Sequence, residues 1–161
     1  MPKTRCPWLP ADRSLYVEYH DTEWGGASRD ACYLFEMICL EGAQAGLSWW
    51  TVLQKRERYR EVFHGFDPVR VAKMTDAALE KLVLDPGIIR HRGKILSVRE
   101  NAKAWLKIED PVAWLWSFAG GATRVNRSGG VRHRTDYSFE TVRIRKVWRF
   151  YLRALRKIIL Y

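Results

Sequence analysis

At 161 residues and 47% hydrophobic, the chain is sized for one domain with a real core and at most a small second lobe. No apolar run approaches the ~18 residues of a membrane span, and Met1-Pro2-Lys3-Thr4-Arg5 leads into no signal-peptide core, so a soluble cytoplasmic protein is expected. The net charge of +10 invites a nucleic-acid reading, but residues 119–161 hold 11 Lys and Arg against Asp136 and Glu140, a net of +9, while the other 118 residues hold 17 basic and 16 acidic side chains, a net of +1.

In chain order, Cys6, Cys32 and Cys39 come first. An odd number at irregular spacing makes no disulfide framework, and Cys32 and Cys39 read as buried thiols in an apolar stretch. Tyr16 and Tyr19, three apart, share one helical face and are flanked by Trp8 and Trp24; core and pocket are both open for them. Ser28 or Asp30 starts a helix to Glu41, with Gly42 as its stop, Tyr33, Leu34, Met37, Ile38 and Leu40 on its buried face and Glu36 facing solvent. Ser48 caps a helix to about Phe63, with Lys55-Arg56-Glu57-Arg58 outside. Asp67-Pro68 and Asp110-Pro111 are caps followed by a first-turn proline. A helix over 75–84 stops at Asp85-Pro86-Gly87, and another runs from Ile88 or Ile89 to Ile108. Strand-like alternation is scarce, so the body is predicted to be all-α. After Arg127 the texture changes: 128–134 is a loose basic connector, and 142–161 has apolar residues at helical spacing with seven Arg or Lys between them.

Two features carry chemistry. In the hairpin Leu82–Ile95, Gly87 permits an unusual φ and close backbone approach. The following helix N-terminus presents free N–H groups that suit a phosphate, with Arg90, Arg92 and Lys94 to add charge. An ordinary corner with a solvated basic face is the alternative. The second feature is Glu41. It lies at a helix C-terminus, where the macrodipole disfavours an anion, among small and apolar neighbours, with Trp49 nearby. A carboxylate beside an indole face suits a flat ligand bearing an amino group or positive charge. A Glu paired with a local Arg, and a Trp filling the core, is the other reading.

Four blocks then coincide: Cys6-Pro7-Trp8; Tyr16-x-x-Tyr19-His20-Asp21-x-Glu23-Trp24-Gly25; Leu34–Glu41-Gly42-x-Gln44-Ala45-Gly46-Leu47-Ser48-Trp49; and Gly87-Ile88-Ile89-Arg90-His91-Arg92-Gly93-Lys94-Ile95. In this order, and on through Trp116-Ser117-Phe118 to about Asn126, the chain resembles the bacterial 3-methyladenine DNA glycosylase I family. The resemblance implies an all-α helix-hairpin-helix glycosylase fold, with residues 1–127 as the body and the helix-hairpin-helix at about 76–108. It implies hydrolysis of the N-glycosidic bond of 3-methyladenine in double-stranded alkylated DNA, leaving an abasic site and releasing the base. Carried over by position, Glu41 hydrogen-bonds the base, Trp49 stacks on it, and Trp8, Tyr16 and Tyr19 line the pocket. Gly87, Ile88, Arg90, Arg92 and Lys94 belong to the DNA-binding hairpin. The family lacks the Asp that its relatives set against the sugar cation, and no lysine is assigned as a Schiff-base nucleophile, so strand cleavage is not expected. A monomer in the bacterial cytosol and nucleoid, with no membrane partner, is expected.

The resemblance breaks at the chain's end. The family's structural zinc takes two N-terminal ligands, matching Cys6 and His20, and a His and a Cys near its C-terminus. Here no cysteine follows Cys39, and His133 is the one histidine after His91, in unmatched surroundings. A four-ligand zinc is therefore not expected, nor any organic cofactor. Residues 128–161 form an atypical basic tail, and a shifted reading frame or divergence both account for it. Two further readings follow: a catalytically impaired DNA- or damage-binding remnant, and a membrane- or partner-binding module built on the terminal helix.

Overall fold

The computed structural model describes residues 5–122. The connector at 128–134 and the amphipathic stretch at 142–161 lie outside them. The chain divides into two compact units, Met1–Val112 and Ala113–Tyr161. Among the described residues the regular structure is helical throughout, as expected.

In the first unit, α1 (Ser14–Thr22) leads to α2 (Ala31–Gln44), whose N-terminus is capped by the Asp30 carboxylate accepting from the Tyr33 N–H at 2.7 Å. Such a cap is worth about 1 kcal/mol. The helix does not stop at Gly42 but runs on to Gln44. A helical glycine costs about 1 kcal/mol; burial of Ala43 in the next position and the Lys94 ammonium on its carbonyl act against that cost. The chain turns at Ala45 and Gly46, the latter at φ +77°, a conformation that favours glycine. Ser48 caps the next helix through the Thr51 N–H. The single helix expected to Phe63 is two, α3 (Trp49–Leu53) and α4 (Arg56–Val62). The break at Gln54-Lys55 turns α4 so that Arg56 and Tyr59 face inward. Part of the expected outer charged face is thus core.

A left-handed turn at His64–Phe66, with φ of 56°, 65° and 57°, brings Phe66 back against Phe35 and Phe63. Asp67 and Pro68 then open α5 (Pro68–Ala72), the carboxylate accepting from Val69 and Arg70. Thr75 caps α6 (Asp76–Leu82). The last helix of this unit, α7 (Arg92–Trp105), starts later than predicted and ends earlier. Ile88 is core and the Ile89 N–H donates to the Tyr59 hydroxyl, so both isoleucines anchor a loop instead of opening a helix. His91 then caps α7, its Nδ1 accepting from the Lys94 N–H.

Phe35, Leu40, Tyr59, Phe63, Phe66, Leu79, Ile88 and Ile95 are all less than 2% exposed. Each large apolar side chain removed from water contributes about 1.5–3 kcal/mol before entropy is counted. On α2, Phe35, Ile38, Cys39 and Leu40 are buried, while Tyr33, Leu34 and Met37 are half-buried. Cys32 corrects its prediction: it is exposed in the first turn of α2, and only Cys39 is a core thiol.

The helix α8 (Pro111–Ser117) begins where Asp110-Pro111 predicts, its first two residues in the first unit and the rest in the second. Trp114 and Phe118 meet edge to face at 4.9 Å.

Candidate functional site

Helical spacing puts Tyr16 and Tyr19 on one face of α1, and the turn at Gly46 with the Ser48 cap delivers Trp49 and Trp50 at the start of α3. The structure brings these elements together. Tyr16 meets Trp8 at 5.7 Å, Tyr19 at 6.3 Å and Trp50 at 5.8 Å, ring centre to ring centre, and Tyr19 meets Trp49 at 5.4 Å. The four aromatics expected to line a pocket therefore form one cluster. Trp50 is an addition: it stacks on Tyr16 and carries the Arg13 guanidinium 5.0 Å over its ring. The doublet Trp49-Trp50 was the available signal.

Tyr19 is the buried centre of this group. Burial pushes its phenol well above the usual range, the neighbouring acidic groups of Tyr33, Glu41 and Glu23 push further, and Arg56 opposes them. The hydroxyl is therefore a neutral donor at physiological pH. Glu41 is half-buried in the last turn of α2, close enough for its charge to act on Tyr19. The indole Nε1–H of Trp49 is buried without a hydrogen-bond partner, which is costly unless a ligand or water accepts from it.

Glu36 corrects its prediction. It is 5% exposed, not solvent-facing. Arg56 Nε donates to its Oε1 at 2.7 Å, and Arg60 donates to Oε1 at 2.7 Å and to Oε2 at 3.0 Å. Arg56, 3% exposed, also donates from Nη1 to both Glu23 oxygens, at 2.9 and 2.8 Å, and lies 5.9 Å over the Tyr33 ring. Its Nη2 is buried without a partner. Sequence reasoning missed this cluster, because Glu36 and Arg56 each sit among charged or apolar neighbours that explain nothing about partners 20 residues apart. Beside it, a cleft of about 210 Å³ is lined by Thr22, Glu23, Gly26, Ala27, Ser28 and Tyr33.

The hairpin residues part company. Gly87 does need to be glycine, but for space and not for φ: a Cβ there would stand 2.6 Å from Arg58 Cγ and 2.9 Å from Asp85 Oδ1, and Gly87 is absent from the left-handed glycines. Its N–H donates to Asp85 Oδ1 at 2.7 Å, and this bond, followed by Arg58, holds the Asp85 carboxyl below its ordinary value. Ile88 is a core anchor. Arg90 is exposed with no ion pair among the described residues, and Arg92 pairs with Glu80 at 2.7 Å. Lys94 reaches to the end of α2. Its Nζ donates to the carbonyl oxygens of Ala43 at 2.9 Å and Ala45 at 2.6 Å.

The zinc half-site meets its test here. The Cys6 N–H donates to His20 Nε2 at 3.4 Å, and His20 Nδ1 lies 3.0 Å from Asp21 Oδ1. The second contact is the outer bond a ligating histidine uses. Arg5, however, holds the same Asp21 carboxylate through Nε and Nη2, and among the described residues no three His, Cys, Asp or Glu side chains group to hold a metal. Cys6 and His20 stand here as two candidate donors, with no third beside them among the described residues. They form a hydrogen-bonded clamp from Arg5 through Asp21 and His20 to Cys6, with Trp8 and Trp24 packed on the His20 ring at 5.5 and 5.3 Å. The clamp ties the segment carrying Trp8 to α1.

A family model described as methyladenine glycosylase matches residues 8–147. Over 128 residues the chain is 54% identical to DNA-3-methyladenine glycosylase 1 of Escherichia coli strain K12, covering 77% of this chain and 68% of that protein. Among solved structures, a crystal structure of 3-methyladenine DNA glycosylase I is similar at a TM-score of 0.75 and 49% identity, over 80% of this chain and 72% of that one. A variant of 3-methyladenine DNA glycosylase I in complex with 3-methyladenine is similar at a TM-score of 0.66 and 38% identity, over 68% and 61%.

Proposed function

The chain belongs to the methyladenine glycosylase family, and from that premise we propose that it excises 3-methyladenine from double-stranded alkylated DNA, with Glu41 as the group that reads the extruded base. The observation that carries this reading is the packing of Tyr19, from the middle of α1, against Trp49, at the start of α3, at 5.4 Å, with the charge of Glu41 in the last turn of α2 acting on the Tyr19 phenol.

The chemistry asks little of the protein beyond binding. A base must leave the duplex stack before a side chain reads it. Methylation at N3 makes the adenine nucleoside cationic, so its bond to the sugar is already weakened. The base departs with the bonding electrons as a neutral molecule, water adds to the sugar carbon, and the water's proton goes to solvent. The protein gains rate by holding the departing base and the developing charge better than the ground state. Glu41 accepts from the exocyclic amino group. Trp49 offers its π face, or its unpartnered Nε1–H, to the base. Neutral Tyr19 gives a hydroxyl that does not compete for the proton. Trp8 and Tyr16 complete the aromatic wall. No lysine acts as nucleophile, no metal takes part, and no organic cofactor is required. The protein works as a monomer in the bacterial cytosol and nucleoid, its hairpin meeting phosphates through Arg90 and the Gly87 turn.

The binding-remnant alternative is not favoured, since the family match spans the pocket and hairpin. The direct test is base release from methylated DNA. Glu41→Gln keeps the shape and removes the charge, and is expected to lower the single-turnover rate by about 100-fold, as for loss of one transition-state contact. Equal release by the two proteins would overturn the assignment of Glu41.

A further inference from the structure

Lys94 is the half-buried cation of the hairpin. It stands in the first turn of α7, yet its ammonium donates to Ala43 and Ala45, the residues on which α2 ends. Glu41 lies two residues before the first of these carbonyls, in the same last turn of α2. Trp49 lies four residues after the second, across Gly46 and the Ser48 cap. One cation therefore grips the segment that joins the two base-binding groups.

From this geometry we propose that Lys94 is a positioning residue that couples the DNA-binding hairpin to the base pocket: it fixes the end of α2 and the 45–48 turn, and so sets the separation of Glu41 and Trp49. The proposal rests on the reading of Glu41 and Trp49 as the groups that hold the base. Two physical effects act together. The last carbonyls of a helix have no intrahelical donors, and Lys94 supplies them from an element 49 residues away in sequence. Those carbonyls also carry partial negative charge that opposes an anion in the last turn, and a cation seated on them offsets that field where Glu41 must stay ionised to accept from a base. Since α7 begins at Arg92, directly after the Gly87–His91 loop, a duplex docked on that loop presses on the element that holds the pocket together.

The discriminating experiment compares two affinities in the same proteins. Free 3-methyladenine, followed by NMR, and a duplex with one abasic site, followed over a salt series, are titrated against wild type, Lys94→Met and Lys94→Arg. The expected result for Lys94→Met is a base affinity lower on the order of tenfold, with DNA affinity and its salt slope unchanged. Lys94→Arg retains the charge and donors and is expected to recover most of the base affinity. A phosphate contact gives the reverse: unchanged base affinity, weaker DNA binding, and a salt slope smaller by about one. That outcome, or loss of both affinities together, would overturn the coupling. If Lys94→Met does not fold, Lys94→Gln, which keeps the stem and an amide donor, is read the same way. A wild type that neither binds 3-methyladenine nor releases it would instead sink the pocket assignment, leaving the two failures distinct.

Discussion

Replacing Arg56 by Met tests the buried ion-pair cluster that backs the pocket. The Arg56 side chain is 4% exposed and makes three hydrogen bonds, one to Glu36 and two to Glu23. Removing one partner of a buried pair typically costs about 3–5 kcal/mol, because the other charge is left uncompensated. Three features of this cluster lower that figure. Glu36 keeps both bonds from Arg60. Glu23, 31% exposed, can rehydrate. Methionine fills much of the lost stem volume, and the orphaned Nη2 disappears with the guanidinium, returning about 1 kcal/mol. The expected net loss is about 2 kcal/mol, equivalent to roughly 4–8 °C in Tm for a chain of this size. Arg60→Met is the control: at 36% exposure its pair with Glu36 is worth about 0.5–1 kcal/mol. Thermal unfolding by circular dichroism at pH 7 reads both. An Arg56→Met protein as stable as wild type, or an Arg60→Met protein less stable than Arg56→Met, would refute the placement of Arg56 as the buried hub.

Tyr59 gives a pH-dependent test. Burial pushes its phenol up to about 12, against a partial pull down from the Ile89 N–H and a further push from Cys39. The folded pKa lies above the unfolded value of about 10, so the stability this phenol adds is complete below pH ~10 and is lost as pH rises from there through its folded pKa. Tyr59→Phe also leaves the Ile89 N–H without an acceptor, at about 1–2 kcal/mol. Urea unfolding is expected to show that deficit at pH 8 and a smaller one at pH 11; a gap that widens with pH would contradict the assignment. Gly87→Ala forces Arg58 and Asp85 to move from a Cβ that would stand 2.6 and 2.9 Å from them. A stability loss of about 1–2 kcal/mol is expected, together with weaker binding to duplex DNA by fluorescence anisotropy, and a neutral substitution would show that the turn has room.

What was legible in the sequence was local. Asp30 (read together with Ser28), Ser48 and Asp67-Pro68 each announce a helix start through a side chain that reaches a backbone N–H two or three residues on, and all three cap; Thr75, read as the first residue of a helix, is instead its cap. Tyr16 and Tyr19 share a face because helical geometry leaves no other choice. Most of the misreadings involve a distant partner. Gly42 would end an isolated helix, but packing of Ala43 carries α2 past it. Ile88 and Ile89 look like the apolar start of α7, yet Tyr59, 30 residues earlier, takes the Ile89 N–H and holds a loop instead. Arg56 sits in a charged run that would be solvated on a lone helix, and only the arrival of Glu36 and Glu23 makes it core. Lys94 was placed with Arg90 and Arg92 by proximity in sequence, whereas its partners lie 49 and 51 residues away.

The two acids of α2 show why their surroundings, not their residue type, decide their roles. Glu36 and Glu41 are five residues apart, which turns them about 140° from one another around the helix. The first faces α4, where Arg56 and Arg60 neutralise it in a buried site. The charge of the second acts on the Tyr19 phenol, and it lies in the last turn of α2, where the Lys94 ammonium sits on the Ala43 and Ala45 carbonyls. A pocket for a flat cationic base needs one carboxylate that a ligand can reach, and a neighbouring carboxylate left unpaired would compete for it and repel its partner. The arginine pair on α4 removes that competitor. Exchanging the two charges, with Glu36→Gln on one protein and Glu41→Gln on another, is therefore expected to separate stability from chemistry: the first lowers Tm and spares base release in the folded fraction, the second spares Tm and lowers base release. Equal behaviour of the two variants in either measurement would mean that α2 does not divide its acids in this way.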